Sequence, residues 1–205
     1  MLRWNARINL TAVRDPNEIV TRHFGESLFL ACHVFPLEQR APSPAPEGGP
    51  IRVLDIGSGA GFPGLPLKLW APTISLTLVE SNHKKAAFLR EVIRSLTLTN
   101  VNVLTVRAET LPGPVRPDTA AAHENAGTPA SIPREAHVVT LRAVERFDAI
   151  LPTAARLVAP AGRLAILIGS AQAEVLPALA PELRWAMPIS VPESQSRVLS
   201  IGVRC

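Results

Sequence analysis

Val53-Leu54-Asp55-Ile56-Gly57-Ser58-Gly59-Ala60-Gly61-Phe62-Pro63-Gly64 is a short apolar run that takes up one acid and then breaks into glycines. Such a run, bounded by turn residues, reads as a buried strand. The glycines after it read as a loop whose backbone takes positive φ or passes close to a ligand. Gly59, Gly61 and Gly64 also satisfy G-x-G-x-x-G, the dinucleotide fingerprint, which aims backbone N–H groups and a helix N-terminus at a pyrophosphate. Asp55 would set a carboxylate at the mouth of that anion site. The expected ligand therefore lacks phosphate and carries positive charge. S-adenosylmethionine, with its ammonium, sulfonium and adenosine, fits that description.

Two further cues lie at later strand ends. Leu76-Thr77-Leu78-Val79 runs into Glu80, 23 positions after Gly57, where an acid in a βαβ unit accepts from ribose hydroxyls. Arg107-Ala108-Glu109 follows the run 101–106 and offers an acid or a backbone N–H to an adenine. Each cue alone has an ordinary explanation: a turn glycine, a helix-capping Asp55, a solvated Glu80. Their order at successive strand ends favours a cofactor site.

Outward from this core, strands are expected near 51–56, 75–80, 101–106, 136–141 and 163–168, and helices near 62–70, 82–97 and 145–158. Alternation of this kind predicts a doubly wound, mostly parallel α/β sheet. Runs near 183–191 and 197–203 predict an antiparallel pair at the C-terminal end. Asp15-Pro16-Asn17-Glu18 is a helix start, with a capping acid and proline at the first helical position. Ile19, Val20, His23, Phe24, Leu28, Ala31, Cys32 and Phe35 follow at helical spacing, giving an N-terminal helical cap over 1–39. A Pro-rich linker over 40–50 and a flexible insertion over 112–135 flank and interrupt the catalytic domain expected over 51–205.

At 205 residues the chain suits one domain with a small appended element. Its 47% hydrophobic and 19% charged composition fits a substantial core, and no run has the length to span a bilayer. No apolar signal segment follows Met1, and Cys32 and Cys205 form no disulfide or metal pattern. A cytoplasmic location, no membrane partner and no metal are therefore expected. The net charge of +4 makes a polyanionic partner plausible. Five histidines show no metal-ligand spacing. His23, on the apolar face of its helix, reads as a hydrogen-bonded core residue.

These residues resemble the RsmG (GidB, glucose-inhibited division protein B) methyltransferases, which methylate N7 of a guanine in small-subunit (16S) ribosomal RNA with S-adenosylmethionine. The resemblance rests on Trp4-Asn5-x-x-Ile8-Asn9-Leu10-Thr11, Arg22-His23-Phe24 with Ser27-Leu28, the stretch 55–67, Arg107-Ala108-Glu109 and Arg142-Ala143-Val144. It implies a Rossmann-like class I S-adenosylmethionine-dependent methyltransferase fold and a monomer acting on 16S ribosomal RNA or the small subunit. It places Gly57 and Phe62 at the cofactor, together with Glu80, Ser81, Asn82, Ala108 and Glu109. Arg142 is implied at the border of cofactor and target pockets, as the one catalytic candidate. Together with Asp55, Gly59 and Gly61 from the loop, these make the expected site.

Against the family pattern, Glu26 stands for an Asp, Leu141 for a Ser, and Ile168-Gly169 for Lys-Gly. A further helical segment usually precedes the Trp-Asn motif, so a late start or a smaller cap is expected. Arg3, Arg7, Arg14, Arg22, Lys84, Lys85 and Arg142 are the candidate RNA contacts. Transfer to N7, which carries no proton, requires no general base, in keeping with the absence of any triad or paired acid and base. Two alternatives are a catalytically weakened member that only binds the ribosomal particle, and a nicotinamide-dependent oxidoreductase.

Overall fold

Alternate residues of a buried strand face opposite sides of its sheet, and β1 (Arg52–Ile56) shows this plainly. Leu54 and Ile56 face one apolar layer, while Val53 faces the other. Parallel to β1 on one side run β2 (Ser75–Val79) and then β3 (Val101–Leu104). Parallel to it on the other side run β4 (Ala136–Arg142) and β5 (Val158–Gly169). The C-terminal strands β6 (Leu183–Trp185), β7 (Ile189–Ser190) and β8 (Arg197–Arg204) complete the sheet. Strand β8 lies antiparallel to β5, and both β6 and β7 pair with β8. The order is β3-β2-β1-β4-β5-β8-β6.

The structure, a computed structural model, describes residues 1–36, 49–113, 134–144 and 146–205. Apart from 49–50, 112–113 and 134–135, the linker expected over 40–50 and the insertion expected over 112–135 lie outside these residues.

Helices cover both faces. Before β1 come α1 (Leu2–Ile8), α2 (Pro16–Ile19), a π-helical turn (Val20–Gly25) and α3 (Glu26–Val34). After it come α4 (Gly64–Trp70), α5 (His83–Ser95) and α6 (Phe147–Arg156). Leu30 of α3, Leu67 of α4 and Leu89 of α5 share a cluster with Val53, Leu76 and Leu78. On the opposite face Leu151 and Ala154 of α6 pack with Leu54, Ile56 and Leu141. Each such leucine, fully buried, contributes about 1.5–3 kcal/mol. The doubly wound sheet with antiparallel C-terminal strands thus matches the expectation.

Two points differ from the expectation in ways that matter here. The helix expected over 145–158 ends at Arg156, because Val158 already pairs with Ala136 and begins β5. The helix begun at Asp15 is capped as expected, with Asp15 Oδ1 accepting from the Glu18 amide at 2.8 Å. Its apolar register is not continuous. The π turn takes up an extra residue and resets the phase, so Val20, Phe24 and Leu28 are exposed at 59%, 39% and 38%. Cys32 is exposed as well. Among the described residues no helix is long and apolar enough to cross a membrane.

Candidate active site

Strand order reverses between β1 and β4, and open α/β sheets bind ligands outside the carboxyl ends of strands at such a point. A cleft of about 420 Å³ lies there. Gly57, Glu80, Ser81, Asn82, Ala108 and Glu109, all expected from the sequence, line it together. Ala143 and Val144 form the β4 side, and Lys85, Arg107 and Arg146 bring positive charge.

The loop after β1 is shaped by its own amides. Gly57 and Ser58 N–H both donate to the Val79 carbonyl, at 2.9 and 3.0 Å. Gly57 has φ +69°, and a Cβ there would stand 2.7 Å from Val144 Cγ1. Glycine is therefore required by backbone conformation and by space. Glu80, 7% exposed, holds the loop from β2. Its Oε2 accepts from the Gly59 amide and its Oε1 from the Asn82 amide, both at 2.8 Å. Asn82 in turn caps α5, its Oδ1 accepting from the Lys84 and Lys85 amides at 2.9 and 3.2 Å.

Asp55 does not stand at the mouth of this cleft. It is wholly buried and shares the strand face of Val53, beneath α4. Its Oδ1 accepts from Thr140 Oγ1 at 2.8 Å and its Oδ2 from the Gly64 amide at 3.3 Å. The carboxylate is thus a strut between β1, β4 and the first residue of α4. Burial pushes its pKa up to about 6 despite the Thr140, Ser58 and Gly64 hydrogen bonds. The expectation that Asp55 meets a cation directly is corrected by strand parity: the acid in this register points under the loop.

Gly59, Gly61, Phe62 and Arg142 also lie off the cleft lining. Gly59 reaches it only through its bond to Glu80. Gly61, at φ +92°, would drive a Cβ into Leu65. Phe62 is held by the N-terminal segment: His23 stacks on it at 5.2 Å and 26°, and Phe24 meets it edge-on at 4.8 Å. Arg142 is 8% exposed and lines a neighbouring hollow of about 190 Å³ that shares Ala143 and Val144 with the main cleft.

Arg142 binds chiefly to the N-terminal segment. Its Nη2 donates to the Arg22 carbonyl at 2.6 Å and to His23 Nδ1 at 2.8 Å, and lies 3.2 Å from Glu26 Oε2. Arg197 approaches the same Glu26 oxygen at 3.1 Å. The Glu26 position, a departure from the family pattern, is thus an acid between two arginines. Thr140 and Arg197 belong to this architecture with no motif to mark them, whereas Thr11, which meets His23 Nε2 at 2.8 Å, closes the Trp4–Thr11 motif. Only the register Asp55↔Thr140 could have pointed to the first.

Of the candidate RNA contacts, Arg142 is buried, Arg22 pairs with Glu18 at 2.6 Å and Arg14 donates to Asn9 Oδ1 at 3.1 Å. Arg3, Arg7 and Lys84 are exposed. They sit on α1 and α5, which pack together through Trp4 and Phe88 at 5.6 Å.

Residues 1–186 match the model of the GidB family, described as rRNA small subunit methyltransferase G. The chain belongs to this family. A ribosomal RNA small subunit methyltransferase G of Xylella fastidiosa (strain 9a5c) is 36% identical over 94% of this chain and 76% of its own length. The one of Chloroflexus aggregans is 36% identical over 98% of this chain and 76% of its own. The fold is that of magnesium protoporphyrin IX methyltransferase from Synechocystis PCC 6803 (TM-score 0.67, 12% identity, 98% of this chain and 89% of that one). It is likewise that of a SAM-dependent methyltransferase from Aquifex aeolicus (TM-score 0.61, 15% identity, 96% and 97%). As a member of the GidB family, the chain is a methyltransferase that uses S-adenosylmethionine, which sets aside the nicotinamide reading.

Proposed function

We propose that this chain methylates N7 of a guanine in 16S ribosomal RNA, as a cytoplasmic monomer. The observation that carries the site assignment is the Glu80–Gly57 cradle. A buried carboxylate accepts from the Gly59 and Asn82 amides, and a glycine lets the loop turn at positive φ where a Cβ would collide with Val144. That cradle fits S-adenosylmethionine. Glu80 keeps acceptor capacity for ribose hydroxyls beyond its two amide bonds. Ala108 and Glu109 line the same cleft and are assigned to the adenine edge. The lining presents Glu80 and Glu109 beside Lys85, Arg107 and Arg146, a mixture that suits a ligand carrying ammonium, sulfonium and carboxylate.

Bound there, the cofactor supplies an electrophilic methyl group. The chain's own work is to orient the acceptor in line and to exclude water. Guanine N7 offers a lone pair with no proton attached, so none of the lining side chains needs to serve as a base. Ala143 and Val144 line both the main cleft and the smaller hollow, which makes that hollow the candidate place for the acceptor.

The test is methyl incorporation from labelled cofactor into small subunits and naked 16S RNA of a strain lacking this activity. Cleavage chemistry selective for N7-methylguanine then maps the product. Incorporation at one N7 position supports the reading. Cofactor binding without incorporation would replace it with a protein that only binds the particle, and methyl at another atom would refute it. Light scattering of the purified protein checks the monomer.

A further inference from the structure

We propose that Arg142 is a positioning residue, acting through His23, whose ring it fixes against Phe62, rather than on the methyl acceptor. The inference rests on the cofactor reading given above.

A guanidinium can only donate. The 2.8 Å contact between Arg142 Nη2 and His23 Nδ1 therefore makes Nδ1 the acceptor and leaves the ring proton on Nε2. That proton has its own acceptor, Thr11 Oγ1, at 2.8 Å. Thr11 is oriented in turn by the Val13 amide at 3.2 Å, and its own amide donates to Asn5 Oδ1 at 2.9 Å. Both nitrogens of His23 are thereby committed, and the ring has one tautomer and one plane. Burial, then the Arg142, Arg22 and Arg197 charges, lower its pKa to about 4, so the ring is neutral at pH 7.

This fixed plane is the surface on which Phe62 stacks. Phe62 directly follows Gly61, in the loop whose earlier glycines form the cofactor cradle. A chain of contacts thus runs from the end of β4, through Arg142 and His23, into the glycine loop. Arg142 is otherwise turned toward its own chain: the Arg22 carbonyl accepts from the same Nη2, Glu26 Oε2 lies 3.2 Å away as a counter-charge, and the side chain is 6% exposed. Its Nε, also buried, has no hydrogen-bond partner among the described residues.

Kinetics and nitrogen NMR on the full chain test the proposal, with S-adenosylmethionine varied over saturating small subunits. Arg142→Lys keeps a charge beside Glu26, and His23→Phe keeps a ring on Phe62. Each is expected to raise KM for the cofactor about tenfold. The double variant is expected to match the worse single one within about threefold, since both changes cut one chain of contacts. Thr11→Val, which removes only the Nε2 acceptor, raises KM about threefold with kcat retained. A merely structural role would lower the active fraction, hence kcat, and leave KM unmoved.

Labelled His23 in the wild type is expected as the Nε2–H tautomer, staying neutral far below pH 6.5. In Arg142→Lys, which keeps the charge but no longer fixes Nδ1 as the acceptor, the Nδ1–H tautomer is expected beside it. Multiplying effects in the double variant would overturn the proposal. So would a fall of about 100-fold in kcat at unchanged KM for Arg142→Lys, the mark of a contact made in the transition state. If the wild type bound no S-adenosylmethionine, the functional reading would fail instead, while the NMR result still decides the Arg142–His23 link.

Discussion

The two sides of the cleft are built from different materials. On the β1–β2–β3 side, backbone amides and carboxylates close on one another over short stretches: Gly57 on Val79, Gly59 and Asn82 on Glu80. On the β4–β5 side, arginines reach to a segment more than a hundred residues away, Arg142 to Arg22, His23 and Glu26. The first side is a local backbone device whose residue types are dictated by turn geometry. The second is a charged joint between distant elements, and its partners are dictated only by packing.

The largest effect is expected on the charged joint. Glu26→Ala strands the buried Arg142 without its counter-charge, takes the partner of the half-buried Arg197 as well, and should cost about 3–5 kcal/mol of stability, read from denaturant unfolding. A loss below about 1 kcal/mol would mean that solvent already neutralises the joint. Next comes the backbone side. Gly57→Val combines a positive φ with a collision against Val144. It should weaken S-adenosylmethionine binding about 100-fold by calorimetry, near 2.8 kcal/mol. Wild-type affinity in that variant would dismantle the proposed cradle.

Asp55 belongs to both sides, since it ties β1 to Thr140 of β4 and to the start of α4. Asp55→Ala leaves the Gly64 amide and the Thr140 hydroxyl without their acceptor, for a loss of about 1–3 kcal/mol. Asp55→Asn can still accept from Gly64 while donating to Thr140, so its stability at pH 7 should stay within about 1 kcal/mol of the wild type. Equal damage from both substitutions would show that the charge itself is required.

The smallest expected effect is the pH dependence of the joint. His23 has a folded pKa of about 4, below the ordinary 6.5, so the unfolded chain takes up that proton first. Its contribution to stability is whole above pH 6.5 and is lost as pH falls toward 4. Asp55, raised from 3.8 to about 6, works in the opposite sense. Its folded form protonates first, so the cost of its buried charge, whole above pH 6, is relieved as pH falls to 3.8. His23→Phe removes the titrating ring together with its bonds to Arg142 and Thr11, of which only the titration depends on pH. The stability advantage of the wild type over His23→Phe should therefore shrink between pH 6.5 and 4. A constant difference would argue that the fold leaves the His23 pKa unshifted.

Much of the backbone side was readable from residue order. Asn82 before an amphipathic run, Glu80 after an apolar one and glycines after β1 are short-range signals whose physics is complete within a few residues. The N-terminal helix was readable in its cap at Asp15 but not in its phase, because a π turn conforms to what it packs against. Phe24 illustrates this: an apolar residue at helical spacing, it is part exposed and meets Phe62 instead of the core. Asp55 was readable as a required acid but not in its direction. One step of strand parity sends its carboxylate beneath the loop, and parity follows from the sheet register with Thr140.

By itself, then, the sequence determined the doubly wound sheet, the glycine loop and the acid at the end of β2, because periodicity, turn conformation and capping act locally. Only the tertiary structure decided what Arg142 and Glu26 do. A charge removed from water must find its partners wherever the fold brings them, and here they come from opposite ends of the chain. That is why an arginine expected to border the reaction is found holding a histidine.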